Sequence, residues 1–421
     1  MRVLLTSHGS TGDLYPVIAY GRALAQAGHS VTFASAPLFQ REIKRANLDY
    51  YYLPPDWEQE IFTEFMRRLH RARYPIKQLR EIYRGALPFL GELIDRLEEA
   101  LETHDVLCGL YLFPHFRALA ERKGKPFASI ALCHNTIPSR DYPPEPALTL
   151  RGFPKTLQAH WNMGLWRLVN CVVDKAINRT IGDILEEKGL PDARNFIMKP
   201  ADLVLVAVSP SLMVGRGSVP RRFQFTGFLR WQAEACPAEE NRIVNFCGGE
   251  PVPVLTFGSV AFDDTTSIMR RFERNWPVGK KIIIQTGWSG LSVEMERHDI
   301  LVVGKMSHDQ LFGHASCVVH HGGAGTTASA LSAGKPHIIV PHIADQDFWG
   351  SEIERLGTGV VLPRNRWPEK LPGAIRLLET RGNFREKAWE VRDTMAREDG
   401  AKRAIELLQA HVEAHNLNRR I

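Results

Sequence analysis

No run of 18 apolar residues occurs anywhere in the 421-residue chain, so no helix able to cross a bilayer is expected. The opening segment, Met1-Arg2-Val3-Leu4-Leu5-Thr6, passes at once into a polar, Gly-rich turn and is too short for the core of a signal peptide. The expected location is the cytoplasm, with membrane contact at most peripheral. Cysteine is scarce. Cys108, Cys133, Cys171, Cys236, Cys247 and Cys317 are widely spread without a CxxC pair, which argues against a disulfide framework and for reduced, mostly buried thiols. Sequence repeats and low-complexity segments are absent. The formal charge of +6 is mild. A nucleic-acid binder concentrates its charge on a basic face, so anionic phosphates or a membrane surface are the expected partners instead.

What is present describes a soluble globular protein: 44% hydrophobic and 24% charged residues. The length exceeds one ordinary core and predicts two domains of about 200 residues each. In the first half, short apolar runs alternate with helical stretches. Strands are predicted at Arg2–Ser7, Ser30–Ser35, Asp49–Leu53, Asp105–Tyr111, Pro126–Leu132 and Ala201–Ser209, and helices at Pro16–Ala27 and Leu38–Ala46. A helical insertion spans about 57–101, and Pro154–Leu190 is a second helical stretch. Residues 233–252, rich in Glu, Pro and Gly, read as a linker between a first domain, 1–232, and a second, 253–421. The second half repeats the alternation, with strands at Val254–Phe257, Lys281–Gln285, Ile300–Val303, Cys317–His320 and His337–Val340. Its last helical stretch, 368–414, is expected to pack back on the first domain. The fold class is α/β, two doubly wound, Rossmann-like parallel sheets facing across a cleft. In such sheets ligands sit at the carboxyl ends of the strands.

The sharpest chemical signal is His320-His321-Gly322-Gly323-Ala324-Gly325-Thr326-Thr327, directly after a predicted strand and opening a helix. Small residues let a phosphate approach the backbone. The helix start offers unbonded N–H groups and the positive dipole end. Neighbouring residues on a strand point to opposite faces, so His320 and His321 are poorly arranged to share a metal ion. Asp345-Gln346-Asp347 spells DxD, but at a helix start Asp is a common cap. No metal site is expected.

This string, with Pro341-His342-Ile343-Ala344-Asp345-Gln346 about twenty residues later, resembles the family-one nucleotide-sugar glycosyltransferases. These include bacterial antibiotic and rhamnolipid enzymes and the sterol and plant natural-product glucosyltransferases. The N-terminal loop His8-Gly9-Ser10-Thr11-Gly12-Asp13-Leu14-Tyr15-Pro16 is similar to the GSxGDxxP loop of the bacterial and sterol members. Val254–Ser259 and Gly287-Trp288-Ser289 match as well, whereas 56–230 matches only loosely. The resemblance implies a GT-B fold and inverting, metal-independent transfer of a hexose from a UDP- or dTDP-sugar to a small hydrophobic or lipid-like acceptor. No cofactor beyond the nucleotide sugar is implied. His321 would then contact the diphosphate, and Gly323, Ala324, Gly325 and Thr326 would cradle it. Asp345 and Gln346 would bind sugar hydroxyls. Ser259, Ser10, Thr11, Gly12 and Trp288 would face the donor, and Met306 and Ser307 would pack on its base. Lys305 stands where plant members stack a Trp, so the base is left open between uracil and thymine.

Inversion needs a base for the acceptor hydroxyl. Asp13 occupies the position of a catalytic His in plant members and of Asp in glycopeptide and sterol relatives. Its bland role is to cap the following helix. His8 is the competing base, with a loop hydrogen bond as its bland role. The stretch Tyr111–Phe116, where plant members carry a partner Asp, holds no carboxylate.

Residues 67–84 carry seven Lys or Arg against Glu81 alone, interleaved with apolar residues. This stretch lies on an anionic membrane surface, flanks an acceptor carrying an acidic group, or is a solvated face over an ordinary core contact. Trp57, Phe153, Trp161 and Trp166 either line an acceptor pocket or belong to the core. Competing readings are a non-catalytic nucleotide-sugar binder or an epimerase of the same fold. Gly323-x-Gly325-x-x-Ala328 also satisfies a dinucleotide fingerprint, but about three strands precede it, whereas that fingerprint belongs in the first βα turn. Monomer and homodimer are both open.

Overall fold

The computed structural model describes residues 1–419 except 73, 112, 136, 146–147, 151, 214–218, 232–235, 259, 261–263, 288–296 and 344. The first half runs β1 (Arg2–Thr6), α1 (Thr11–Gln26), β2 (Ser30–Ser35), α2 (Gln40–Arg45), β3 (Asp49–Tyr52), α3 (Gln59–Arg71), α4 (Pro75–Glu102), β4 (Val106–Leu110), α5 (Pro114–Arg122), β5 (Phe127–Ala131), α6 (Lys155–Glu187), β6 (Leu203–Val206) and β7 (Phe223–Phe225). The second runs α7 (Pro237–Cys247), β8 (Val252–Thr256), α8 (Thr265–Asn275), β9 (Ile282–Gln285), β10 (Ile300–Val303), α9 (His308–Gly313), β11 (Ala315–His320), α10 (Ala324–Ser332), β12 (His337–Ile339), α11 (Asp345–Leu356), β13 (Gly359–Val361), α12 (Trp367–Thr380), α13 (Asn383–Met395) and α14 (Gly400–Asn418).

The chain forms two compact units, and their borders do not follow the halves. Residues Phe62–Pro75 group with the second unit, and Glu398–Ile421 with the first. The segment 233–252, read as linker from its Glu, Pro and Gly, contains α7, whose Ile243 and Cys247 are buried in the second unit's core.

Each unit is built on one parallel sheet. The first has seven strands in the order β3-β2-β1-β4-β5-β6-β7, the second six in the order β10-β9-β8-β11-β12-β13. Both orders reverse direction once, at β1/β4 and at β8/β11. There the crossover helices diverge to opposite faces and leave a crevice at the carboxyl ends of the strands. Alternation along the strands builds the two faces of the second sheet. Leu255, Ile282, Ile284 and Val319 pack on one side with Phe272 of α8 and Trp367 of α12. Val254, Ile283 and Val318 pack on the other with Ile243, Leu311, Phe312 and Ala330 of α7, α9 and α10.

Most apolar side chains of the basic insertion are buried or half-buried, although Tyr74 is 61% exposed. Met66, Leu69 and Tyr83 are buried, and Arg67 and Arg84 pair with Glu64 and Glu81 one turn away. This arrangement fits the solvated-face reading of 67–84. Among the described residues no helix is long and apolar enough to cross a membrane.

Helix α14 closes the first unit. It packs on α1, Tyr20 Oη donates to Ala404 O (3.3 Å), and Leu408 is fully buried. Leu408→Ala is expected to destabilise the protein by about 2–5 kcal/mol, because the vacated volume lies among side chains that can only partly close it. Urea unfolding followed by circular dichroism measures the loss; a change below 1 kcal/mol would mean that α14 contributes little to the core.

Candidate active site

At the second switch point the chain leaves β11 through His320 and His321 and enters α10. Gly322 takes φ +90°, and a Cβ there would stand 2.8 Å from Ile339 Cγ2, so both conformation and space require glycine. A Cβ on Gly323 would overlap His321 Nε2, which shows that the imidazole folds back over the turn. On its other side His321 lies beside Gly258, at the carboxyl end of β8. Gly323 is the N-cap of α10 and offers no side-chain cap. Gly323, Ala324 and Gly325 stay partly accessible, whereas Gly322, Thr326 and Thr327 are buried. The positive end of a helix is thus presented bare at the base of a crevice, with an imidazole beside it.

His320 turns the other way, into the core. Its Nδ1 accepts the Gly322 N–H (3.1 Å), so the proton of the neutral ring sits on Nε2 and is donated to His337 Nδ1 (3.0 Å). His337 must then carry its proton on Nε2, a buried atom with no partner among the described residues. Burial holds His320 well below the usual imidazole range and His337 at about 3, so both stay neutral. The chain Gly322–His320–His337 fixes the glycine turn from beneath. The rings of His320 and His321 are 6.4 Å apart with planes at 89°.

The other expected donor residues are placed with more varied roles. Gln346 is buried, and its Oε1 accepts from the N–H groups of His342 (2.7 Å) and Ile343 (3.1 Å), so only its amide NH2 is left to face a ligand. Asp345 opens α11. Ser307 caps α9, its Oγ accepting from Asp309 N (3.3 Å), and Met306 packs in the core with Leu311 and Phe312. Ser259 and Trp288 lie outside the described residues. Sequence reasoning missed Gln285. Its side chain accepts from Thr256 Oγ1 (2.9 Å) and donates to Met306 O (3.1 Å), tying the end of β8 to the loop expected beside the nucleobase.

At the first switch point α1 begins at Thr11, earlier than the sequence pattern suggests, so Asp13 sits in its first turn rather than in the preceding loop. Ser10 is the N-cap, and its N–H and Oγ donate to Asp13 Oδ2 (2.8 and 3.1 Å), a reciprocal capping box. Both Ser10 bonds fall on the one oxygen, Oδ2. Burial raises the carboxyl above its usual range, more than the Ser10 bonds lower it. Thr11 and Gly12 open the helix, and Gly12 N donates to Ser10 Oγ (3.3 Å). His8 packs edge-on to Phe113, lies 3.3 Å from Thr6 Oγ1 through Nε2, and is pushed down to about 4 by burial. His115, at the start of α5, is buried with neither ring nitrogen bonded and lies at about 3, lowered by burial and then by His8. Its only signal in the sequence is the His of Tyr111–Phe116, the stretch that carries no carboxylate.

Both histidine groups predict sensitivity to acid. The unfolded chain protonates these rings near pH 6.5, while the folded His337, His115 and His8 resist until about pH 3 to 4. Between those limits the unfolded state binds more protons, so stability is full above pH 6.5 and declines as pH falls. His337→Gln, which keeps an acceptor for His320 but cannot titrate, is expected to give a shallower decline between pH 7 and 4.5 in urea unfolding. An identical slope would show that His337 is accessible to protons in the fold.

Comparison with known proteins bears on both crevices. Residues 3–90 match the glycosyltransferase family 28 N-terminal domain, and residues 282–410 match the C-terminal domain of the erythromycin biosynthesis protein CIII-like group. The vancomycin aglycone glucosyltransferase of Amycolatopsis orientalis is 26% identical over 373 residues, covering 86% of this chain and 85% of that protein. A sterol 3-beta-glucosyltransferase of Arabidopsis thaliana is 26% identical over 451 residues, covering 98% and 68%. Among solved structures, the glycotransferase of kitacinnamycin superposes with a TM-score of 0.69 at 19% identity over 97% of this chain and 98% of that one. The glycosyltransferase VinC in complex with dTDP gives 0.68 at 17% identity over 98% and 100%. Two reversed-order sheets with these neighbours define the GT-B fold. With a glycosyltransferase domain matched at the first crevice and glucosyltransferase relatives aligned through the second, the chain belongs to the family-one glycosyltransferases and is a sugar-transferring enzyme.

Proposed function

We propose that the protein transfers a hexose, with inversion and without a metal ion, from a UDP- or dTDP-sugar to a hydroxyl of a small hydrophobic or lipid-like acceptor. The observation that carries the reading is the bare N-terminus of α10 under His321, at the carboxyl end of β11. A leaving diphosphate gains charge as the anomeric C–O bond breaks, and unfilled N–H groups with a helix dipole stabilise that charge. His321 adds a donor beside them. Gly323, Ala324, Gly325 and Thr326 hold the phosphates, Asp345 and the Gln346 amide hold sugar hydroxyls, and Ser10, Thr11, Gly12, Ser259, Trp288, Met306 and Ser307 complete the donor side. The printed description of VinC, a dTDP complex, supports such a donor.

Asp13 is the base. The acceptor hydroxyl transfers its proton to the carboxylate as its oxygen bonds the anomeric carbon, and the diphosphate departs with the electron pair. Capping and catalysis use different oxygens: Oδ2 is held by Ser10, which leaves Oδ1 for the substrate. A raised pKa makes the carboxylate a stronger base. His8, kept neutral at about 4 and set against Phe113, shapes the pocket beside it and is the alternative base. The chain acts in the cytoplasm.

Asp13→Asn keeps the cap and removes the basicity. Turnover is expected to fall about 10²–10⁴-fold while donor affinity stays within a few-fold. The acid limb of kcat/KM, where the carboxylate is lost to protonation, should vanish with it. Full turnover in the Asn variant would leave Asp13 as a cap only and make His8 the base.

His321→Ala is expected to cost about 10²–10³ in rate. In the same preparations UDP or dTDP should raise the melting temperature and NAD should not. Stabilisation by NAD alone, or an absolute need for a divalent ion, would overturn the donor assignment.

A further inference from the structure

The outward face of α6 is built unlike an ordinary solvated helix. The large hydrophobic side chains that are exposed among the described residues concentrate in one stretch: Leu148, Phe153, Leu157, Trp161, Leu168 and Val172 are each 41–60% exposed. Four of them, Leu157, Trp161, Leu168 and Val172, recur at spacings of four, seven and four, which places them on one helical face about 22 Å long. The helix does not need this face for its own packing. Its inner side already buries Asn162, Trp166, Asn170, Ala176, Ile177 and Ile181. Trp161 is held in place, its Nε1–H donating to Leu148 O (2.9 Å), which draws the preceding segment onto the same surface.

Along the ridge itself the exposed charge has one sign; carboxylates return only at the end of the helix, where Asp183 and Glu186 are exposed beyond Arg179. Arg167, Lys175 and Arg179 are exposed along the same outward rows. The sole acid between residues 155 and 182, Asp174, is turned inward, accepting from Asn195 N (2.8 Å), Phe196 N (3.0 Å) and Asn170 Nδ2 (2.8 Å). An apolar ridge with a tryptophan, flanked by cations and without an exposed carboxylate between residues 155 and 182, is complementary to the interface of an anionic bilayer. Apolar chains enter between headgroups, the indole sits at their level and the cations meet lipid phosphates. A second copy of this chain would instead bring like charges together across the contact.

We propose that α6 seats the protein on anionic lipid bilayers through the face formed by Leu157, Trp161, Leu168 and Val172, with Arg167, Lys175 and Arg179 as its electrostatic rim. The site is distinct from the basic insertion 67–84, where Tyr74 is the one strongly exposed large hydrophobic side chain among the described residues, and it does not depend on the donor assignment.

Co-sedimentation with phosphatidylglycerol/phosphatidylcholine vesicles, and with phosphatidylcholine alone, tests this directly. The wild type should bind the anionic vesicles, and added salt should weaken the binding. Arg167→Glu with Lys175→Glu should lower the partition coefficient at least about 30-fold and flatten its salt dependence. Trp161→Glu with Leu168→Glu should abolish binding. Cys171 lies exposed on the same face and is a built-in probe. An environment-sensitive dye attached there, in a Cys236→Ser background, should shift to the blue when anionic vesicles are added. The Arg167→Glu/Lys175→Glu variant should keep the wild-type melting temperature. Because Trp161→Glu also loses the bond to Leu148, Leu157→Glu with Leu168→Glu, which breaks no hydrogen bond, is the matched control and should abolish binding at the wild-type melting temperature. Three results would overturn the proposal: no binding at low salt, equal binding by the variants, or self-association of the wild type that Leu168→Glu disperses.

Discussion

A helix start left without a cap is the constraint around which the second unit is arranged. Burying backbone N–H groups without partners is costly, so an empty N-terminus must be open to a ligand while the turn leading into it stays rigid. Here the two demands are divided between adjacent residues. His321 folds over the accessible glycines, and His320 reaches into the core to hold Gly322 from beneath. The cost of this arrangement is visible at its far end, where the His337 Nε2 proton has no acceptor among the described residues. Gln346 serves the same end, its carbonyl bracing the loop before α11 and so limiting what the side chain can offer a sugar.

The first unit meets a comparable conflict at Asp13 by dividing one carboxylate between two tasks. Its capping oxygen gains two short bonds from Ser10, and burial acts against them by raising the pKa. A group held by its own helix is well positioned but less basic; one that is buried is more basic but needs holding. Both conditions hold at this residue. His115 and His8 lie close together beside this residue, both kept neutral by burial.

The surface of α6 and the insertion 67–84 show why amphipathicity alone is ambiguous. Both carry cations among apolar residues. In the insertion most apolar side chains are buried or half-buried, Tyr74 excepted; on α6 a second apolar row faces outward in addition to the buried one. Residue spacing identifies a stripe, but only packing reveals whether something already covers it.

Much of the architecture was legible in the chain itself because it is encoded over short distances. Short continuous apolar runs and the glycines of residues 322–325 specify strands, a turn and a helix start through contacts within a few residues, and the two-sheet α/β plan follows from the alternation of strand and helix. The beginning of α1 was set too late because Thr11–Tyr15 lacks an apolar period, although Ser10 and Asp13 spell the capping box that starts it. Helix α7 was read as linker because Glu, Pro and Gly outweighed the two apolar residues that anchor it. What the tertiary structure alone decided depends on partners brought together by crossovers. These are the His320–His337 bond across 17 residues, the Gln285 tie to Met306, the approach of His115 to His8, and the return of α14 to α1. A side chain's neighbours along the chain determine its backbone, whereas its protonation, tautomer and exposure are set by groups that only the folded sheet order makes adjacent.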